Sequence, residues 1–249
     1  MGVAGQVDYE SHRLTSEYLH FHYGDAKEVV PWESLPASLT GYPQRLITER
    51  FPAERVGRGL EVGCAVGRSS FEMARFCDEV VGIDYSSAFI STCNQLKVGN
   101  SLAYEIEMQG DRRKGFVATV PQGIDPSKVQ FIQGDAHELP ADLGSFDWVL
   151  GANLLCRLHH PRRFLRQLPG LVKKGGILVL NSPFTWMPQH TEPSEWIGGK
   201  EGEDSARVLQ SILDSDFELI DETQMPFLIR ETERKYQLTV AHSGKWRRR

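Results

Sequence analysis

The middle of the chain alternates short apolar runs with helical patterns, and that rhythm narrows the possible folds more than any other feature. RGLEVGC (58–64), EVVGIDY (79–85), VQFIQGD (129–135), FDWVLGAN (146–153) and GILVLNSP (176–183) each read as a strand. Between them GRSSFEMARFC (67–77), SSAFISTCNQL (86–96) and PRRFLRQLPGLV (161–172) carry helical spacing. Ser69 or Ser70 can cap the first of these helices, Ser86 and Ser87 open the second, and a proline starts the third. Apolar strands separated by helices call for a parallel sheet covered on both faces. Right-handed crossovers then give a doubly wound, Rossmann-like α/β layout. The tail adds FELIDETQMPFLIRE (217–231) and RKYQLTVAHSGKWRR (234–248), where Tyr236, Leu238 and Val240 alternate. Two strands joined by a short turn there would make an antiparallel edge.

At 249 residues the chain fits one large domain, or one domain with a small appendage. Residues 1–55 precede the first strand and are rich in aromatics (Tyr9, Tyr18, Phe21, Tyr23, Trp32, Tyr42). They read as a helical cover over the site, with the main domain at 56–249. Residues 99–128 are polar, carry glycines and are too long for an ordinary strand–helix connection. They read as a surface excursion, a β-hairpin being one form of it.

Composition excludes several functions. A net charge of −5 argues against a chain that grips a nucleic-acid backbone, and KWRRR near the C-terminus reads as a solvated tail. No run approaches the roughly 20 apolar residues of a membrane span. The opening MGVAGQVDYESHR lacks an apolar signal core, and Val7 spoils the myristoylation pattern begun by Met-Gly. Cys64, Cys77, Cys93 and Cys156 stand singly, so no zinc or C-x-x-C redox motif forms, and the scattered histidines show no metal spacing. Reduced thiols and the absence of an export signal lead us to expect a cytoplasmic protein without a metal.

LEVGCAVGRSS places Gly63 and Gly67 after a strand and before a helix, the position where open sheets bind ligands. A dinucleotide fingerprint begun at Gly63 needs glycine at 65 and 68, where Ala65 and Arg68 stand. A P-loop needs Gly-Lys after four residues; here the spacing is one short and Arg68 replaces lysine. Both phosphate readings fail. What remains is an acid two residues before the first glycine. Glu61-Val62-Gly63-Cys64-Ala65-Val66-Gly67 resembles motif I of class I S-adenosylmethionine (SAM) methyltransferases, with alanine at the middle glycine. Glu61 suits the cationic amino group of the methionine moiety, directly or through water. Asp84, 21 positions after Gly63 at the end of the second strand, suits the ribose hydroxyls.

The resemblance implies more. Asp135 in QGDA is expected to accept from the adenine amine with the Ala136 amide nearby, and Asn153 and Leu154 to close the pocket beside the methionine. Cys64, Gly67, Arg68 and Tyr85 complete the expected SAM set, with S-adenosylhomocysteine (SAH) as product. The fold it implies is the Rossmann-like class I methyltransferase fold, a seven-stranded, mostly parallel sheet with helices on both faces.

YLHFHYG, GLEVGCAVGRSSFEMAR, GANLLCRL, LVLNSPFTW and PFLIRETERKYQ together resemble a narrower family, the ovothiol-pathway methyltransferases. These are the C-terminal domain of 5-histidylcysteine sulfoxide synthases and the stand-alone 4-mercaptohistidine N1-methyltransferases. The resemblance runs from about Tyr18 to Trp246 and implies methylation of an imidazole nitrogen of 5-thiohistidine (4-mercaptohistidine) to give ovothiol A. It also implies a separate sulfoxide synthase and lyase in the pathway, a small-molecule substrate, and no nucleic acid or membrane partner. A related imidazole or selenium analogue, histidine or histamine stays open as acceptor, as does a non-catalytic SAM-binding role. Tyr23 and Asn181 are the leading catalytic candidates by placement. His22, Arg157, Phe184, Trp186, Arg230 and Tyr236 join them as acceptor-binding candidates, with Arg234 and Lys235 beside the last two.

Overall fold

The structure is a computed structural model, and it describes residues 8–33 and 35–249. The Met-Gly start and Val7 lie outside the described residues. Seven strands form the main sheet: β1 (Val56–Val62), β2 (Cys77–Asp84), β5 (Val129–Gln133), β6 (Phe146–Ala152), β7 (Val172–Ser182), β8 (Phe217–Arg230) and β9 (Tyr236–Arg248). Their spatial order is β5-β2-β1-β6-β7-β9-β8. The first five pair in parallel, while β9 runs antiparallel to both β7 and β8. This is the doubly wound, Rossmann-like layout expected from the strand rhythm, with the seven-stranded, mostly parallel sheet that the resemblance implies. The order reverses between β1 and β6, so the crevice beyond their carboxyl ends is the natural ligand site. The tail strands do pair antiparallel at the edge of the sheet, with β9 between β7 and β8.

Helices α1 (His12–Tyr23), α2 (Ala26–Val29) and α3 (Tyr42–Arg50) precede the sheet. Within it, α4 (Arg68–Met73) and α5 (Ser87–Gly99) follow β1 and β2, α6 (Pro161–Leu171) follows β6, and α7 (Ser205–Leu213) follows β7. Ser11 caps α1, Ser86 caps α5 and Asp204 caps α7, each accepting a backbone N–H. Two local expectations are corrected. The cap of α4 is Gly67 without a side-chain bond, because the Ser70 hydroxyl is turned to Glu61 instead. The helix at α7 was not foreseen, because its nine residues give too short a period. The polar interruption forms a separate hairpin, β3 (Ser101–Gln109) and β4 (Arg112–Thr119). It packs on α1, where the Tyr104 hydroxyl lies 3.1 Å from His20 Nδ1 and Phe116 tilts against the His20 ring at 4.6 Å.

Strand alternation sorts the core into two layers. Leu60, Val62, Leu178 and Leu180 face one layer with Phe146, Phe164, Phe217 and Trp246. Leu150, Ile177 and Val179 face the other, with Leu46, Phe71, Cys93 and Trp148. Glu61 and Asn181 occupy this second side, since each alternates with residues of the first layer along its strand. Both are buried polar residues at strand ends, directed toward the side covered by α1, α3, α4 and α5.

Candidate active site

The turn from β1 into α4 is built from left-handed residues: Gly63 at φ +79°, Ala65 at +46° and Gly67 at +82°. The Gly63 and Cys64 amides both donate to the Ile83 carbonyl, at 2.8 and 3.0 Å, which pins the turn to β2. A Cβ on Gly63 would come within 3.2 Å of Leu154, and one on Gly67 within 2.7 Å of the Phe131 ring. Glycine is therefore required here by backbone sign and by the protein's own packing. At Ala65 a non-glycine residue sits in the left-handed region, where the geometry costs about 1–2 kcal/mol. Its amide donates to Asp84 Oδ2 at 2.8 Å, and Ser86 N donates to Oδ1 at 2.9 Å. Burial raises the Asp84 carboxyl despite these two backbone donors.

Glu61 lies beneath this turn, fully enclosed, and burial pushes its carboxyl up to about 8 against the pull of the Ser70 and Ser69 hydroxyls. Cys64 is turned into the core, its thiol near Cys93. Arg68 pairs with the buried Glu72 at 2.9 Å, reaches the His22 carbonyl at 3.4 Å and lies over the Tyr23 ring. It ties α1 to α4. Tyr85 is 75% exposed beside Asp84. Beyond β5, Asp135 Oδ1 meets the His137 amide at 2.8 Å and His137 Nδ1 at 2.6 Å. His160 N donates to His137 Nε2 at 3.1 Å, so Nε2 is the acceptor and Nδ1 carries the proton given to Asp135. Ala136 is buried, its carbonyl accepting from Gln167.

The N-terminal segment roofs this half of the crevice. Ser86 Oγ donates to the Tyr9 carbonyl at 2.9 Å, and the Glu10 carboxylate accepts from Ser87 N, Ala88 N and Ser87 Oγ. The Tyr9 ring packs edge-on against Tyr18 and Phe89. Burial raises its phenol, with the Arg157 guanidinium opposing from nearby. Sequence reasoning marked Tyr9 only as one aromatic of the N-terminal cover and gave Glu10 no role.

The polar acceptor candidates are packed and specific, Tyr23 and His22 against the glycine turn and Arg68, and Asn181, Asn153 and Tyr42 on the β6–β7 side. The Tyr23 hydroxyl donates to the Val66 carbonyl at 2.8 Å, so α1 is locked to the glycine turn. His22 is buried, with burial and then Arg68 pushing its imidazole down to about 3. Asn181 Nδ2 lies 3.4 Å from Met225 Sδ and its Oδ1 accepts from Ser243 Oγ at 3.2 Å. Asn153, at φ +53°, donates its backbone N–H to the Asn181 carbonyl at 2.8 Å. Leu154 covers Gly63. Tyr42, the first residue of α3, brings its hydroxyl beside the Asn181 and Asn153 amides. Both amides favour the ionised phenol, yet no donor–acceptor pair there meets hydrogen-bond geometry, and burial holds the phenol high. The sequence marked Tyr42 only as one aromatic of the N-terminal cover. Its one local signal is the Gly-Tyr-Pro that starts the helix.

The structure does not bring the remaining candidates to this place. Phe184, at φ +49°, and Trp186 pack in the layer on the other side of the sheet, where Trp186 Nε1 donates to Ser205 Oγ. Arg157 follows β6 and lies near Met187 and Tyr9. Arg230 and Tyr236 face each other across the β8–β9 turn. Asn181 pairs with Ser243, and Ser243 with Thr223, so Arg230 is seven residues further along β8. That is roughly 23 Å of strand. Arg230 is buried there, donating to the Glu28 and Thr232 carbonyls. Among the described residues, no group of three or more His, Cys, Asp or Glu is placed to hold a metal ion.

Comparison with known proteins agrees with this geometry. Residues 60–180 match the model of a methyltransferase domain. The chain is 26% identical over 178 residues to ajmaline N-methyltransferase of Rauvolfia serpentina, covering 68% of this chain and 52% of that one. It is 27% identical over 202 residues to a probable chloroplastic tocopherol O-methyltransferase of Oryza sativa subsp. japonica, covering 78% and 49%. The chain thus spans about half the length of the curated relatives it matches. Among solved structures, N-methyltransferase NodS from Bradyrhizobium japonicum WM9 in complex with SAH superposes with a TM-score of 0.54 at 17% identity, covering 94% of this chain and 98% of that one. The strand order, the left-handed turn after β1 and the matched segment together make residues 60–180 a class I SAM-dependent methyltransferase domain.

Proposed function

We propose that this protein transfers a methyl group from SAM to an imidazole nitrogen of 5-thiohistidine, giving ovothiol A and SAH. The observation that carries the reading is the composition of the crevice at the carboxyl ends of β1 and β6. One half offers carboxyls to a cationic, ribose-bearing donor; the other offers small neutral polar groups set among aromatic rings. The residues fit the donor. The Asp84 carboxylate, held by two backbone amides, stands where ribose hydroxyls would donate, and Glu61 lies under the turn where the methionine ammonium would lie. Asp135 is half exposed beyond β5, with its imidazole partner fixing its direction. The β6–β7 side supports a small neutral ring, since Tyr42, Asn153 and Asn181 are uncharged there, while His22 and Tyr23 stand beside Arg68 on the donor side. The segment resemblances that name 5-thiohistidine run through several of them.

In the reaction the nitrogen lone pair attacks the methyl carbon as the carbon–sulfur bond of the sulfonium breaks. The electron pair stays on sulfur as SAH leaves, and the methylated ring loses its extra proton to solvent. SAM supplies a good leaving group, so the chain's own work is to align two molecules and exclude water. Tyr23 contributes by locking α1 onto the turn, and Asn181 by fixing the end of β7. A sulfoxide synthase and a lyase on separate chains would supply the thiohistidine.

The test is direct. Purified protein with SAM and 5-thiohistidine should yield one methylated product and one SAH per turnover by mass spectrometry. Methylation of another small amine or thiol, with 5-thiohistidine untouched, would overturn the substrate. Tight SAM binding by calorimetry without turnover on any acceptor would indicate a binding protein instead. On the donor side, Asp84→Ala should weaken SAM binding by about 1–3 kcal/mol, because buried ribose hydroxyls lose their acceptor.

A further inference from the structure

Buried polar atoms without partners cost about 1–3 kcal/mol each, so those a protein keeps call for a reason. Among the described residues, His20 Nε2, Arg50 Nε and His242 Nδ1 are of this kind. Each belongs to a side chain anchored through another atom, to Tyr104, Asp221 and Glu222 respectively. His22 Nδ1 on α1 and Trp246 Nε1 in the opposite layer also lack partners, whereas Tyr42 Oη and Asn153 Oδ1 lie beside each other. The hydroxyl is the only polar atom of Tyr42's side chain, and the ring around it is fixed by Phe227 at 4.3 Å and Phe21 at 6.1 Å. Asn153 is held in the left-handed region by its backbone bond to Asn181, a strained geometry of the sort that collects at functional positions. Helix α3 and the turn after β6 bring the two side chains together at the crevice.

We propose that Tyr42 Oη and Asn153 Oδ1 form the polar wall of the acceptor subsite and grip a planar N-heterocycle carrying a ring N–H beside a hydrogen-bond acceptor. This rests on reading the crevice as a methyl-transfer site. The chemistry of the pair selects the ligand. Asn153 Oδ1 can only accept, so it takes a ring N–H. The Tyr42 hydroxyl donates to the adjacent polar atom, a ring-bound sulfur in a thioimidazole. The second ring nitrogen then keeps its lone pair free. Only the neutral ring has that free lone pair, so it is the nucleophilic form.

The experiment uses the full chain saturated with SAH and titrated with imidazole or 1-methylimidazole at mildly alkaline pH, followed by NMR. Wild-type protein should bind imidazole about tenfold more tightly than 1-methylimidazole, which has no N–H. Asn153→Gly keeps the left-handed backbone and should bind the two alike. Tyr42→Phe keeps the ring packing; it should raise the KM for 5-thiohistidine about tenfold while SAH affinity, measured by calorimetry, stays within twofold. Equal binding of the two probes by wild type would overturn the proposal, as would a preference that survives Asn153→Gly or an unchanged KM in Tyr42→Phe. Turnover is a separate readout. A wild-type preference for imidazole without methylation of 5-thiohistidine removes that substrate and leaves the subsite standing. Where wild type does not turn over 5-thiohistidine, the Tyr42→Phe arm is read as a several-fold weaker binding of 4-mercaptoimidazole, which carries the ring sulfur, and unchanged binding overturns it.

Discussion

Ala65 shows how one position can depart from a pattern and still be held in place. Its left-handed backbone is maintained by the Asp84 carboxylate and the two amides bonded to Ile83, at a cost an L-residue pays and glycine does not. Ala65→Gly should therefore stabilise the protein by about 0.5–1 kcal/mol, the relief of strain outweighing the extra freedom of the unfolded chain. Urea melts of the two proteins check this; a lower midpoint for the variant would mean that the Ala65 methyl packs better than its strain costs. Glu61 carries a second prediction. Its carboxyl is raised from 4.5 to about 8 by burial, so near neutral pH the ligand-free protein holds a proton on it. An ammonium brought close would favour the ionised form and expel that proton. SAH binding near pH 7 should release close to one proton, seen by calorimetry in buffers of different ionisation enthalpy, and Glu61→Gln should abolish the release. Equal release from both proteins would place the donor's ammonium elsewhere.

At the scale of elements, the connections between the N-terminal segment and the sheet decide how the crevice is roofed. Glu10 accepts both amides at the start of α5, so a residue from before the first helix caps a helix inside the domain. Glu10→Ala should leave the fold intact while the Ser87 and Ala88 amides exchange with solvent several-fold faster by mass spectrometry. Unchanged exchange there would show that the Ser86 bond to Tyr9 alone holds the roof. The strands were legible because buried parallel strands are apolar runs and glycines punctuate them. The polar residues within those runs, Glu61 at the end of β1 and Asn181 near the end of β7, were legible for the same reason. Helix α7 was missed because nine residues barely cover two turns. The position of β9 was not legible, because a hairpin can add to an edge with either strand innermost.

Over the whole molecule, three buried titratable groups give stability a pH dependence with opposing signs. Glu61 has a raised pKa, so its contribution is fully present below pH about 4.5 and is lost as pH rises to about 8. His20 and His22 are depressed from 6.5 to about 4 and about 3, by burial first and by Arg230 and Arg68 respectively after it. Their contribution is present above pH 6.5 and is lost as pH falls through the folded values. Two groups losing against one gaining should place the stability maximum near pH 6.5, with a decline on both sides in a melting-temperature profile. Glu61→Gln should flatten the alkaline side and steepen the rise between pH 4.5 and 6.5; a profile that still falls above pH 6.5 would assign the decline to other groups.

What the sequence determined by itself was local or periodic. The alternation of strands and helices implies the sheet, and the spacing of Glu61, Gly63, Gly67 and Asp84 lies within two consecutive strand–turn–helix units, so the donor half of the crevice could be read from one stretch of chain. The acceptor half was decided by tertiary structure. Tyr42, Asn153 and Asn181 are far apart in sequence and meet only because α3 folds back over the ends of β6 and β7. The same folding carries Phe184 to the opposite layer and Arg230 far along β8. Strand alternation can tell which face a residue takes, but which distant helix supplies the group opposite it depends on long-range packing that no local pattern records.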